Sequence, residues 1–376
     1  MSQRPRFLLT FLSWAGGLSG GDRHLLEVAG RWSEHVDLAV VCPPRALSTI
    51  HSFVGEVPAS RLGLTGGRLG GLGPLLALEY VRRALTVAVR QLPRADVVAA
   101  ASHFIPDATG VATLARRGAL GVAYVYHLIA ERRVVSPRTL WSKADERLAL
   151  ALLRRSARVV FVSNQPTAAA LAARGFDPVR TAVGVDLASF RPTAAASLPP
   201  RAAFVGRMVH TKGVIDAVET WARVRKAVPE AKLVMVGIGP ERERAAARAA
   251  ELGISDAVEW RGFVSEEEKR LILSESRLLL APSYEEGWGI SVCEAFATAV
   301  PVAGYQLPVL DELFGSAYLA AAPGDIAGLA DLAVRVLTDD RLADLHGSRG
   351  RKAAGRYDVS VVAEQELQTI LAACAS

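Results

Sequence analysis

The sequence predicts an α/β chain built from two doubly wound sheets, and three observations predict it. A chain of 376 residues is long enough for two domains, each with its own hydrophobic core. Short apolar runs alternate with longer helical stretches in both halves, which is the strand–helix rhythm of parallel sheets. Residues 193–200 (TAAASLPP) have the composition of a linker, so a boundary falls beside them. Domains are therefore expected at 1–190 and from 191 onward.

In the first half, strands are expected at 7–11, 36–42, 96–101, 122–126 and 159–162. The opening MSQRPRFLLTFLSW has two arginines and a short apolar run, like a signal peptide. The run is too short for one and leads into a glycine loop and a charged helix, so it reads as the first strand. Gly16, Gly17, Gly20 and Gly21 form that loop, and a helix is expected over 23–32. Residues 63–73 (GLTGGRLGGLG) read as a loop. Residues 74–92 read as an amphipathic helix with Arg82, Arg83 and Arg90 on its polar side, packed on the sheet or facing a membrane. The second half repeats the rhythm, with strands at 202–205, 233–236, 258–260, 278–281 and 301–303 and a helix at 290–299.

The net charge of +6 is unevenly spread. Residues 1–190 hold 23 Lys and Arg against 13 Asp and Glu, a balance of +10; the remainder hold 21 against 25, a balance of −4. The cations are scattered among apolar helices without a zinc, homeodomain or RNA-binding signature, so a nucleic-acid partner is not expected. They suit peripheral contact with an anionic membrane, or a phosphorylated acceptor, unless they merely reflect high-GC coding. Three widely spaced cysteines, Cys42, Cys293 and Cys374, make no metal or redox pattern and read as reduced, buried thiols of a cytoplasmic protein. No apolar stretch reaches the length of a membrane span.

The chemistry concentrates at Glu286-Gly287-Trp288-Gly289-Ile290-Ser291-Val292-Cys293-Glu294. A strand precedes this run and a helix follows, which places both carboxylates at the carboxyl edge of a parallel sheet, where such sheets bind ligands. The glycines let backbone approach a ligand closely, and the helix N-terminus offers N–H groups to an anion. Upstream, Gly206-Arg207 ends one strand and Lys212-Gly213 opens the next helix. Arg207 supplies a planar fork and Lys212 a point charge, suited to converge on a diphosphate. There is no Asp-x-Asp, hence no obvious metal–diphosphate site, and a metal-independent reaction is expected. The first-half glycines do not make Gly-x-Gly-x-x-Gly, and Arg242 stands where the third glycine after Gly237 and Gly239 would be, so a dinucleotide site is not expected. His127 follows an apolar strand, a place where a lone histidine is more often structural than functional; His103 also follows a strand and fits either role equally.

Glu286 and Glu294, set as Glu-x7-Glu, resemble the donor-site motif of the retaining glycosyltransferases of family 4. Other segments agree in order: Gly20-Gly21-Asp22-Arg23-His24 with the N-terminal glycine loop, Tyr-Val-Tyr-His ending at His127 with the active-site histidine, and 184–192 with the interdomain segment. Gly206-Arg207 and Lys212-Gly213 resemble the diphosphate clamp, and 258–264 the base-binding strand and loop. The likeness covers essentially the whole chain and is strongest over 159–308; it departs at Val183, where the family often has Asn.

The resemblance implies the GT-B fold, two Rossmann-like domains facing a central cleft. The acceptor domain would span 1–190 with 358–376 crossing back onto it, and the donor domain 191–357. It implies that Glu294 accepts from ribose hydroxyls and Glu286 from the donor sugar. Backbone of Gly20, Gly21, Gly206, Trp288, Gly289 and Ile290 would line the phosphates and sugar, and Val264 would frame the base. His127 would join Glu286, Arg207 and Lys212 as catalytic residues, with His103 on the acceptor side. The implied reaction is retaining, cofactor-free hexose transfer from a nucleoside-diphosphate sugar, UDP before GDP, to a hydroxyl of a lipid, glycan or small natural product. An epimerase or hydrolase on the same fold, or a silent nucleotide-sugar-binding subunit, are the alternatives.

Overall fold

The computed structural model describes residues 4–14, 19–61, 73–89, 92–129, 137–190, 192 and 198–375. It divides into two units, Met1–Gly184 with Val359–Ser376, and Val185–Asp358. The division falls at Gly184, earlier than the linker at 193–200 suggests, and 193–197 lie outside the described residues. Backbone pairing sets it there. The Gly184 N–H bonds to His24 in the first unit, whereas the Val185 N–H bonds to the Tyr357 carbonyl in the second.

The first unit carries strands β1 (Arg6–Thr10), β2 (Asp37–Cys42), β3 (Ala59–Arg61), β4 (Val97–Ala100), β5 (Leu120–Val125), β6 (Ala157–Val162) and β7 (Pro178–Arg180). They form one parallel sheet in the order β3-β2-β1-β4-β5-β6-β7. Alternate residues face opposite sides. Phe7 and Leu9 pack with the helices Gly20–Trp32, Leu47–Val54 and Val359–Ala375, while Leu8 packs with Gly73–Val89, Ile105–Ala115 and Pro137–Ser156. The C-terminal helix is tied in by buried polar groups. The Trp32 indole N–H donates to the Ala363 carbonyl (2.9 Å). Glu366 accepts from the Tyr124 hydroxyl (2.6 Å) and the Thr181 hydroxyl (2.5 Å), and lies 3.0 Å from His24 Nε2. Because His24 Nδ1 accepts the Gly184 N–H (3.2 Å), Nε2 carries the proton that faces Glu366.

The second unit carries β8 (Arg201–Val205), β9 (Lys232–Val236), β10 (Val258–Gly262), β11 (Leu278–Ala281), β12 (Val302–Tyr305) and β13 (Leu319–Ala321). Its parallel order is β10-β9-β8-β11-β12-β13. Relative to chain order, this repeats the first six strands of the first unit. In each unit the order reverses between the first and fourth strands, β1/β4 and β8/β11, which is where such sheets bind ligands.

Several expectations change. The first helix begins at Gly20, not at 23, because Ser19 and Asp22 form a reciprocal capping box. Of the arginines expected on the polar side of residues 74–92, Arg83 is instead buried in the helix Gly73–Val89. It pairs with Glu79 (2.9 Å) and donates to the Leu12 and Trp14 carbonyls. Arg90, Gly16, Gly17 and residues 63–72 lie outside the described residues. The helix expected over 290–299 ends at Ala297, and Ala299 has a left-handed backbone (φ 58°) that cannot continue it. Cys42 and Cys293 are buried, but Cys374, in the last turn of the final helix, is exposed.

Candidate active site

The second unit's reversal point carries Gly206, Arg207, Lys212 and Glu286, whereas Gly20 and Gly21 lie in the first unit. Gly206 and Arg207 follow β8, and the Gly206 N–H bonds the Val236 carbonyl (3.0 Å), so the loop leaves the sheet in register with β9. Lys212 ends a short 3-10 turn, His210–Lys212, and Gly213 caps the helix Val214–Ala227. Gly213 is left-handed (φ 64°), and a Cβ on it would stand 1.9 Å from the Pro282 carbonyl oxygen. Only glycine fits this approach. It brings Lys212 against the loop after β11, and the Tyr284 N–H completes the junction by bonding the Thr211 carbonyl (2.8 Å).

At that junction Lys212 Nζ donates to Glu286 Oε1 at 2.5 Å, and the Ser283 hydroxyl donates to the same oxygen at 2.9 Å. The tyrosyl hydroxyls of Tyr284 and Tyr305 both donate to Asp216 Oδ2 at 2.6 Å, fixing the first turn of the Val214 helix. The expectation that Arg207 and Lys212 meet at one point takes a different form here. Lys212 is engaged by Glu286, while Arg207 is exposed and makes no ion pair among the described residues.

Glu286 leads into Gly287, exposed, and Gly289, the left-handed N-cap (φ 95°) of the helix Ile290–Ala297. Among the described residues neither Gly213 nor Gly289 provides a side-chain cap, so the helices after β8 and β11 both open on backbone N–H groups alone. Such termini attract anions. Trp288 is buried edge-on against Tyr357 and Phe314, with ring centroids 5.0 and 6.0 Å away. Its indole N–H has no partner among the described residues. Val264 lies just beyond β10, half-buried.

Glu294, expected to meet the ribose, is 1% exposed and accepts from Lys269 Nζ at 2.7 Å. Lys269 also pairs with Glu266 (2.8 Å). Sequence reasoning missed Lys269, which lies 25 residues from Glu294. It also missed Ser283, whose small polar side chain beside the motif offered only a weak signal.

The first unit's reversal point is built differently. Gly20 and Gly21 occupy the first turn of a helix whose end is closed by Ser19 and Asp22: the Asp22 N–H bonds Ser19 Oγ (3.1 Å) and Asp22 Oδ2 accepts the Ser19 N–H (3.0 Å). The Tyr126 hydroxyl donates to the Gly21 carbonyl (3.2 Å). Asp107 is buried and accepts the Leu12 N–H (2.7 Å), the Ser13 N–H (3.2 Å) and the Ser102 hydroxyl (2.7 Å). Burial pushes its carboxyl up to about 6, against those hydrogen bonds. Asp145, also pushed up to about 6 by burial, accepts the Ile105 N–H at the start of the next helix (3.3 Å).

His103 is buried, stacked on Phe104 (4.7 Å), with Nε2 at 3.2 Å from Glu146. His127 is exposed, its ring edge-on to His103 at 6.3 Å between centroids. Glu146 accepts the Ile129 N–H as well (2.8 Å), so one carboxylate ties the loop after β4 to the loop that carries His127. Burial raises the Glu146 carboxyl, but the hydrogen bonds from His103 and Ile129 outweigh it and hold the group low. This bond joins residues 43 apart, a spacing with no local sequence signature.

Two family models match. "Glycosyl transferase 4-like domain" covers residues 19–184 and "Glycosyl transferases group 1" covers 188–353. A 2-deoxystreptamine glucosyltransferase of Streptomyces kanamyceticus is 34% identical over 217 residues, 52% of this chain and 56% of the relative. A 2-deoxystreptamine N-acetyl-D-glucosaminyltransferase of Niallia circulans is 28% identical over 143 residues, 38% of this chain and 37% of the relative. The alignments thus span about half, or less, of these relatives. Among solved structures, Anabaena HepE in complex with UDP and glucose superposes with a TM-score of 0.75 at 18% identity, covering 98% of this chain and all of that one. Sucrose-phosphate synthase from Thermosynechococcus elongatus gives 0.74 at 18% identity, with 99% and 100% coverage. At such identity these likenesses speak to the fold. Two parallel sheets of matching order, two family models that together span most of the sequence, and these neighbours place the chain among the family 4 glycosyltransferases of the GT-B fold.

Proposed function

We propose that the protein transfers a hexose from a nucleoside-diphosphate sugar, UDP before GDP, to an acceptor hydroxyl, with retention and without a metal. The observation that carries the reading is the Lys212–Glu286 pair, set between two uncapped helix N-termini at the second unit's reversal point. The diphosphate would take its charge complement from Arg207, Lys212 and the two helix ends. A phosphate arriving at Lys212 competes with Glu286 for the ammonium, and the released carboxylate accepts from a sugar hydroxyl. Lys269 fixes Glu294 for the ribose end of the donor. On this reading the anomeric carbon–diphosphate bond breaks as the acceptor oxygen bonds to that carbon. The acceptor's proton passes to the departing diphosphate, while His127 positions the reacting sugar and His103 serves the acceptor side.

Support for UDP and glucose comes from the ligands of the HepE structure, and 2-deoxystreptamine enters as the first acceptor to assay through the names of the relatives. The experiment is a calorimetric panel of UDP and GDP, followed by product analysis with UDP-glucose in chelator, with and without acceptor. Tighter UDP binding and chelator-resistant glucoside formation are expected. Donor turnover without acceptor would favour an epimerase or hydrolase. Binding without turnover on any acceptor would favour a silent subunit, and magnesium-dependent activity would overturn the phosphate site.

A further inference from the structure

The described residues expose eleven large hydrophobic side chains, and six of them lie on two helices of the first unit. On Gly73–Val89 they are Leu78, Val81 and Leu85, spaced as one stripe of the helix. On Pro137–Ser156 they are Leu140, Trp141 and Leu148, continued by exposed Ala144 and Ala151 at the same helical spacing. Both helices pack against Ile105–Ala115 and send Val87, Ala149 and Leu153 into one core, so their stripes face outward from the same side of the sheet.

The charges on these helices are sorted by sign. The described acids, Glu79, Asp145 and Glu146, are all buried, and Glu79 is neutralised by Arg83. The exposed charges are Arg82, Arg147, Arg154 and Arg155, with Lys143 half-buried. Apolar stripes whose exposed charges, among the described side chains, are all cations, with a tryptophan among them, match helices that lie in a bilayer interface. We propose that this two-helix face docks on an anionic lipid surface, its cations at the headgroups and Leu78, Leu85, Trp141 and Leu148 at the acyl boundary. A protein partner of acidic surface would meet the cations but leave the apolar stripes without a reason to be exposed at both helices. The inference is independent of the donor chemistry.

The test is co-sedimentation of the full chain with phosphatidylglycerol-containing and pure phosphatidylcholine vesicles, at low and high salt. Pelleting with the anionic vesicles alone is expected, weakened but not abolished by salt, because screening removes the electrostatic part and leaves the apolar part. Arg82→Gln and Arg147→Gln should each lower partitioning about fivefold. Leu85→Asn with Leu148→Asn should remove the salt-resistant fraction, with thermal denaturation unchanged because both side chains are exposed. Absence of pelleting at low salt, equal pelleting with neutral vesicles, or concentration-dependent dimerisation abolished by the same leucine substitutions would overturn the proposal.

Discussion

The two units share a strand order and differ in what they do with the helix ends at the point where that order reverses. In the first unit the helices after β1 and β4 each begin with an N–H held by a side chain, the Asp22 N–H by Ser19 Oγ at one and the Ile105 N–H by Asp145 at the other, with Asp107 holding the β1 loop. In the second unit the helices after β8 and β11 start from left-handed glycines, with Lys212 and Glu286 just ahead of them. Backbone donors already bound to an internal side chain are not available to a phosphate. On the proposed reading one sheet plan serves two ends, and the groups at the helix starts decide which reversal point would take an anion.

Breaking the second unit's internal support should have the largest effect. Lys269→Ala takes its ammonium from the buried Glu294 carboxylate, and removing one partner of such a pair costs about 3–5 kcal/mol. Urea denaturation should show the midpoint fall, with a loss below about 1 kcal/mol contradicting the burial of the pair. Next comes the exchange at Lys212. Lys212→Ala should weaken donor binding roughly 10- to 100-fold, the value of a charged hydrogen bond of about 1.5–3 kcal/mol. Glu286→Gln should instead lower turnover with little change in donor affinity, because on the proposed reading it would hold the sugar that reacts. Steady-state kinetics separates the two, and identical profiles would remove the division of roles.

In the first unit, Glu146→Gln keeps the shape but replaces a charged acceptor for His103 and the Ile129 N–H. Turnover should fall on the order of tenfold, with an altered pH profile and an unchanged donor constant. A pure stability loss with normal kinetics would make Glu146 structural only. The smallest effect is the pH dependence of stability. Asp107 and Asp145 sit at about 6 when folded, above the ordinary carboxylate range. The folded chain therefore holds more protons than the unfolded chain between about pH 4 and about pH 6. Their contribution to stability falls as pH rises through that window and is constant above it. Asp107→Asn should flatten this slope in thermal melts recorded from acid to neutral pH.

Legibility followed the range of the interactions. Central strands such as β1, β4, β8 and β11 are continuous apolar runs and can be read directly. The edge strands β3, β7 and β13 are three residues each, too short for period or composition to mark them. Glu286 and Lys212 could be read because a glycine-flanked motif announces them. Gly20 looked like loop because glycine disfavours helices, although Ser19 and Asp22 already spelled the cap that overrides it. Lys269 and Glu146 were invisible, since each acts on a residue brought near only by the fold. Arg83 shows the same limit from the other side: the pattern of an amphipathic helix points a basic residue to solvent, and two backbone carbonyls and Glu79 hold it inside.

The central claim is that the anion site belongs to the second unit, and calorimetric titration of UDP into the full chain and two variants tests it most directly. Arg207→Ala removes an exposed cation from the open site, and Asp22→Asn loosens the closed cap of the first unit. UDP affinity should fall by about tenfold or more with Arg207→Ala and stay at the wild-type value with Asp22→Asn. Wild-type affinity in Arg207→Ala, together with a loss in Asp22→Asn, would contradict the account.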